Sequence, residues 1–470
     1  MKSKIQNFLE SKWFLPILFT ILLILWACGQ TLVTLAIIAL AVVLQFVFCD
    51  NVINVFGPVI FIPFFMEDLE VSASWVYYII CISAAFLGII YFVIKKVCFE
   101  KKHVTKGKMF WAWIVSMVAF MLGGVIGHFN YLATLVIIGT GLLVYFFYFL
   151  AVNFTSGLKE RLAYTFIVGG ILIFLEYAFL IICEGGNIFD AIVSRGFIFI
   201  GAEGINTVAI FYCLAIISCF VIGIGNKFDY LYFLLSVIFE GLLFLTYSRW
   251  MILISILVIV PLVVIAIIKS KKKLNFLWVT LGLLGFVAIM IVIFRDKAIS
   301  IVTHLFDKNK KGSNGRGSLW PWCIDRFKEY PIFGYGFVAD ELVPAVREYS
   351  AIILAHNTIL QWITSCGIVG TLMMAYFYFI KYRIMFTKIN FDRLLTLFAI
   401  IMIALSGMLD QAATMDFFMY LVPFMYLAII ENENKVDSKS IETNVKEKII
   451  SQQPKVKTNK QSDKKIIDNS

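Results

Sequence analysis

Charge is scarce in this chain. Asp, Glu, Lys and Arg together make up 15% of its 470 residues, whereas apolar residues reach 61%. Soluble domains carry about 25% charged residues and need them to cover their surface. A water-soluble globule is therefore excluded, and lipid is the solvent that accepts the apolar excess. A disulfide framework is missing too. Most of the nine cysteines, among them Cys28, Cys81, Cys213 and Cys219, fall inside apolar runs and read as small buried hydrophobes. Cys323 lies in a long polar segment, with no obvious partner there. The basic N-terminus, Met1 to Lys12, is not followed by an A-x-A-like cleavage site, so the first apolar run reads as a retained helix and not a signal peptide. No internal repeat stands out. The net charge of +10 does not point to nucleic acid, because Lys and Arg sit in short loops and one tail.

Apolar runs are what the chain has in quantity. They fall near 13–28, 31–49, 52–66, 75–94, 109–127, 130–152, 162–183, 205–223, 230–247, 250–268, 274–294, 357–380, 394–409 and 415–430. The longer ones meet the length of about 20 residues that crosses a bilayer, and the many Phe suit lipid-facing helices. The expectation is an all-α polytopic protein of the cytoplasmic membrane. It has roughly 14 (12–14) transmembrane helices and one long, partly helical extracytoplasmic loop. The run at 52–66 is short, holds Pro58 and Pro63, and reads as a span or a re-entrant segment. If the N-terminus is cytoplasmic and the spans alternate, the short inner segments hold twenty Lys and Arg. The short outer loops then hold only Arg195 and Arg249. Omitting 52–66 would move the six basic residues of 95–108 outside, so the asymmetry favours keeping it. The chain then divides into helices 1–11 (1–294), an outer loop (295–356), helices 12–14 (357–430) and a Lys-rich cytoplasmic tail (431–470) expected to be disordered.

Basic residues on the outer face need a reason. Arg249 ends the run Leu245-Thr246-Tyr247-Ser248-Arg249 between two spans with almost no loop. It reads either as an interfacial Arg beside Trp250 or as an anion ligand, because the guanidinium fork suits phosphate. Arg195 precedes Asn206-Thr207, and Arg316 stands between Gly315 and Gly317, which allow close backbone approach. Both are otherwise ordinary loop charges. In the long loop, Ser318 is placed to cap a helix with an apolar face of Trp320, Ile324 and Phe327, ended by Pro331. Ile332-Phe333-Gly334-Tyr335-Gly336 then reads as a turn pressed on the membrane surface. His356, beside Asn357 at the start of the next span, is a base at neutral pH or a helix-capping residue. Glu176 and Glu240 lie inside spans, where carboxylates are functional or structural. Glu67, Asp68 and Glu70 are a candidate metal cluster or simply an acidic outer loop.

The ordered set Thr246-Tyr247-Ser248-Arg249, Arg316 with Trp320, Tyr330-Pro331-Ile332-Phe333-Gly334-Tyr335-Gly336, then His356-Asn357 with Gln361, Gly367 and Gly370, resembles the O-antigen ligase and polymerase superfamily. Arg195 through Asn206-Thr207-Val208-Ala209 looks like the family's upstream loop, with its usual Asn-Pro-Asn degraded. The resemblance implies a glycosyltransferase that needs no metal or cofactor. Its donor would be a glycan on undecaprenyl pyrophosphate, and its acceptor a glycan or lipid-glycan. It also implies that Arg249, Arg316 and Arg195 hold the pyrophosphate and that His356 activates the acceptor. Asn206, Asn357, Gln361 and Glu240 would support them. Two other classes remain in view: a flippase for the same lipid-linked glycan, and a metal-dependent lipid-phosphosugar transferase using Glu67 and Asp68.

Overall fold

The computed structural model describes residues 2–65, 71–183, 199–200, 203–224, 229–270, 273–293, 295–296, 299, 303, 316–337, 355–387, 389, 391–408, 417 and 419–434. It is helical apart from one antiparallel pair, Phe199–Ile200 with Glu203–Gly204. The helices are α1 (Lys2–Leu9), α2 (Phe14–Ala27), α3 (Thr31–Phe48), α4 (Phe56–Phe61), α5 (Val71–Ile94), α6 (Phe110–Leu122), α7 (Tyr131–Phe154) and α8 (Leu158–Cys183). They continue as α9 (Ile205–Gly223), α10 (Asp229–Leu245), α11 (Arg249–Lys269), α12 (Lys273–Ile293), α13 (Arg316–Glu329), α14 (Thr358–Met385), α15 (Phe391–Ser406) and α16 (419–434).

Among the described residues, six helices are long and apolar enough to cross a membrane: Thr31–Phe48, Ala133–Phe154, Leu158–Cys183, Ile205–Gly223, Arg249–Lys269 and Thr358–Met385. Large side chains such as Leu87, Leu135, Leu257 and Phe379 are exposed, as lipid-facing positions require. The chain is a multi-pass membrane protein. α9 is its central post, buried along nearly its whole length and packed against α8, α10, α11 and α15. Gly170 lets α8 approach closely, since a Cβ there would sit 2.9 Å from Phe239 and 3.2 Å from Ala215. The run 52–66 is a short 3-10, α and 3-10 succession over Ile53–Phe65, enclosed by protein. Irregular backbone at membrane depth is tolerated only in such an enclosed place.

The bundle has two polar ends, joined by α7, whose 24 residues rise about 36 Å. At the Phe154 end, Arg161 donates to the carbonyls of Glu10 and Ser11 at 2.8 and 2.9 Å. Asn51 donates to Ser156 Oγ at 3.0 Å, and Lys96 pairs with Asp50 at 2.6 Å and Glu100 at 2.7 Å. Glu431 accepts from the Lys108 N–H at 3.0 Å and from the Tyr148 hydroxyl. Glu433 lies 3.3 Å from Arg393. Segments 1–12, 50–51, 95–108, 153–161, 381–393 and 431–434 therefore meet at one end. Residues 431–434, expected to open the tail, instead finish α16 and belong to the packed body.

At the Tyr131 end, the segment after α13 is threaded through the protein. The N–H of Gly124 and of His128 donate to the carbonyls of Phe333 and Tyr335 at 2.9 and 2.7 Å. On its other side, Tyr335 N–H donates to Thr364 O at 2.7 Å. Ile368 and Val369 N–H donate to the carbonyls of Pro331 and Ile332 at 2.8 and 3.1 Å. α14 breaks at Gly367 (φ 63°, ψ −164°), and these loop carbonyls satisfy the N–H groups that the break releases. Gly334, Tyr335, Gly336 and Phe337 are buried while Ile332 is 55% exposed, so of the turn expected on the membrane surface only the Gly334-Tyr335-Gly336 part lies inside the protein. The expected apolar face of α13 is corrected as well. Leu319 and Cys323, at i and i+4, form the buried face, while Ile324 is 45% exposed. The helix docks through Cys323 onto α14, where Thr364 Oγ1 donates to Cys323 O at 3.3 Å.

Two outcomes follow from this packing. A Cβ at Gly367 would meet Gly334 N and Ile332 O at 2.5 Å, and its φ is left-handed. Gly367→Ala should therefore cost roughly 2–4 kcal/mol and lower the thermal midpoint in detergent by several degrees. Gly282→Ala, in open space, should leave the midpoint unchanged or raised. Burial pushes the Cys323 thiol up to about 11. A maleimide should therefore leave Cys323 unlabelled at pH 8 in folded protein and label it after denaturation.

Candidate functional site

The C-terminal end of α15 presents carbonyls with no partner inside the helix, and two other helices supply donors to them. Trp250 Nε1 donates to Leu405 O at 3.1 Å. Thr358 donates to Gly407 O through its N–H at 2.9 Å and through Oγ1 at 2.7 Å. Asn357 Nδ2 donates to Met408 O at 2.7 Å. Arg249 and His356 are the immediate neighbours of Trp250 and Asn357. The structure thus brings two residues 107 positions apart in sequence onto one backbone junction.

Both neighbourhoods carry uncommon backbone. Tyr247 (φ 53°) and His356 (φ 49°) are left-handed. That conformation is an outlier for a bulky residue and persists only where the surroundings enforce it. Around Tyr247, Thr246 Oγ1 donates to Leu243 O at 2.7 Å and accepts from Ser248 N–H at 3.3 Å. Ser248 is the N-cap of α11 by position, yet its side chain does not cap the helix. Its hydroxyl instead donates to Asn206 Oδ1 at 2.9 Å, tying the start of α9 to the start of α11. The first-turn N–H groups of α11 thus have no side-chain cap, beside Arg249, which is exposed and has no hydrogen bond or ion pair among the described residues. A helix N-terminus of this kind, with a guanidinium at its first position, favours an anion.

His356 does not cap α14. Asn357 does, its Oδ1 accepting from Leu360 N–H at 2.9 Å. Gln361 is buried behind them. Its Oε1 accepts from Ala355 N–H at 2.7 Å, and its Nε2 donates to Ser365 Oγ at 2.9 Å. Trp320 Nε1 donates to Ala355 O at 2.9 Å, which fastens α13 to the residue before His356. Asn357, Gln361 and Trp320 therefore set the backbone on which His356 stands. Glu240 is not part of this junction. It accepts from Ser255 Oγ at 2.8 Å, a bond between α10 and α11, and has no bond to Arg249. Glu176 is fully buried on α8, with no hydrogen bond to either carboxylate oxygen among the described residues.

Arg195, Glu67, Asp68 and Glu70 lie outside the described residues, and so does the side chain of Arg316, whose backbone opens α13. Among the described residues, no three His, Cys, Asp or Glu side chains gather in a metal-binding group. The structure adds residues that sequence reasoning missed. The His128 ring lies 4.4 Å from Tyr335, and the Arg326 guanidinium lies 5.6 Å from Tyr335 and 5.7 Å from Trp322. The sign available in the sequence was slight: one of four His residues, at the outer end of an apolar run. The α15 junction had less, a Ser406-Gly407 pair that reads only as a helix stop.

Comparison with known proteins bears on this arrangement. A family model described as O-Antigen ligase matches residues 231–375. The matched stretch runs from α10 into α14 and holds Arg249, Arg316, Trp320, the threaded segment, His356, Asn357, Gln361 and Gly367. Asn206 and Arg195 precede it. A search of curated proteins finds no match. Residues 231–375 of the chain are thus similar to the O-antigen ligase family.

Proposed function

We propose that the protein is a membrane glycosyltransferase of cell-surface polysaccharide biosynthesis. It takes a glycan from an undecaprenyl-pyrophosphate carrier on the outer face of the cytoplasmic membrane. It then ligates that glycan to a lipid-glycan or polymerises it onto another glycan, and uses no metal or cofactor. About fourteen spans place both termini in the cytoplasm and the 295–356 loop outside. The observation that carries this reading is the α15 junction, where Trp250 and Asn357 dock within four residues of each other, at Leu405 and Met408. It supports the reading that Arg249, which is exposed, and His356, each next to a docked residue, serve one site at the end expected to face outward.

The chemistry runs as follows. An acceptor hydroxyl oxygen bonds to the anomeric carbon of the donor sugar while the bond from that carbon to the pyrophosphate oxygen breaks. The hydroxyl proton passes to His356, and the electron pair leaves with the polyprenyl pyrophosphate. Arg249, Arg316 and Arg195, with the N-terminus of α11, stabilise the charge that develops there. Asn206 holds Ser248 and so fixes the first turn of α11. Asn357 and Gln361 act on His356 through the backbone.

Three measurements test this. Arg249→Ala and Arg316→Ala, each well expressed, should lose roughly 10²–10³-fold in glycan transfer, and Arg→Lys nearly as much, because a point charge does not replace the bidentate fork. Full transfer in both Ala variants overturns the phosphate role. His356→Ala should lose roughly 10²–10⁴-fold in turnover while retaining donor binding. His356→Asn should not restore turnover, since Asn357 already caps α14. For topology, Lys328→Cys in a background with Cys28, Cys183 and Cys323 replaced by Ser places a thiol at an exposed position of α13. An impermeant thiol reagent should label it on spheroplasts. Labelling only after lysis rejects the orientation.

A further inference from the structure

The end of the bundle opposite Arg249 and His356 holds a cavity of about 760 Å³. It lies between the α1–α2 junction, the α7–α8 turn, and the facing ends of α9 and α10. We propose that this cavity binds the headgroup of a zwitterionic phospholipid of the phosphoethanolamine class, taken from the adjacent leaflet.

Among the described residues, the charges that line the space balance: Lys12 and Arg161 against Glu10 and Glu160. A simple anion would meet two carboxylates there, and a simple cation two basic groups. A headgroup with one charge of each sign satisfies both pairs. The cationic side is built rather than incidental. Arg161 is fixed by its two bonds to the carbonyls of Glu10 and Ser11, at 2.8 and 2.9 Å, and keeps further N–H donors for a phosphate oxygen. Gly157 (φ 65°) precedes α8, and a Cβ on it would meet nothing within 4 Å, so the positive first turn of α8 fronts open space. The exposed Glu160 side chain, in that same turn, is available to the ammonium.

The surroundings match a lipid and not a free metabolite. Trp13, 61% exposed, and Tyr232 sit at the mouth, where amphipathic rings mark the bilayer interface. Ile222 and Ile224 continue the wall with apolar surface suited to glycerol and the first acyl carbons. A primary ammonium donates hydrogen bonds to carboxylates, whereas a trimethylated one has none to give. Phosphoethanolamine should therefore be preferred to phosphocholine.

The test uses the full-length protein in detergent. Native mass spectrometry would follow its retention of phosphatidylethanolamine, phosphatidylcholine and phosphatidylglycerol with matched acyl chains. We expect phosphatidylethanolamine to be retained roughly threefold better than either of the others, the size of effect that partly exposed ion pairs give. Lys12→Ala combined with Glu160→Gln, both exposed positions, should remove that preference while leaving size-exclusion behaviour and Cys323 protection unchanged. Should the double variant misfold, each single variant should show a reduced preference. Equal retention of the three lipids, preference for phosphatidylglycerol, or a preference that survives the substitutions would overturn the proposal. So would competition by soluble glycerophosphoethanolamine at the affinity of the intact lipid.

Discussion

The passage of residues 331–337 between the turn after α6 and the break in α14 is the constraint on which the outer half of the molecule depends. Main chain packs on main chain there, at distances that no side chain tolerates. Built Cβ atoms at Gly124 and Gly127 would fall 2.6 and 2.8 Å from the Gly336 Cα and the Tyr335 carbonyl, and one at Gly336 would collide with the His128 carbonyl. The hydrogen bonds run both ways across the contact, so the broken helix and the loop complete each other's backbone. Residues 331–337 thus have backbone partners on both sides, on the turn after α6 and on α14. α13 is anchored at its far end by this passage and near its start by Trp320, so its orientation follows from both.

That rigidity reaches the candidate site through α14. Its first turn carries Thr358, Asn357 and, just before them, His356. The end of α15 takes up their polar groups and the indole of Trp250, so the start of α11 is drawn to the same place. The strained φ of Tyr247 and of His356 is intelligible in these terms. Each residue stands between a loop and a helix whose positions are set elsewhere, and local strain of order 1–3 kcal/mol is held by the surrounding bonds. Groups carried on such a frame need little reorganisation on binding.

The opposite end is organised by ionic and amide contacts instead. Glu431, Arg393, Arg161 and Lys96 each join segments far apart in sequence, and each does so with buried or partly buried donors and acceptors. These bonds lock the short loops into one layer beside an opening whose described lining carries balanced charge and aromatic rings. One end of the bundle thus presents an open arginine and strained backbone. The other presents ion pairs between its loops and, beside them, a cleft with charged groups still open to a ligand.

Much of this was legible in the chain because the bilayer imposes a coarse and strict grammar. Apolar length and the bias of Lys and Arg grouped 1–12, 95–108, 153–161 and 381–393 before any contact was known, and those segments do meet at one end. Arg249 and His356 were marked by their residue type, their place at the ends of apolar runs and their fit to an ordered motif set. The face of α13 was misread, because the periodic pattern Trp320, Ile324, Phe327 fits a buried stripe as well as Leu319 and Cys323 do. Only the docking onto α14 chooses between them. The roles of Asn357, Gln361 and Glu240 were equally open, since a polar side chain near a motif serves a ligand or a backbone with the same composition. The sequence by itself determined that the chain lives in lipid and where its polar segments gather. Only the tertiary structure decided that Arg249 and His356 share one junction and that the Gly334-Tyr335-Gly336 turn is internal. Those outcomes rest on contacts between backbones far apart in sequence, which leave no periodic trace along the chain.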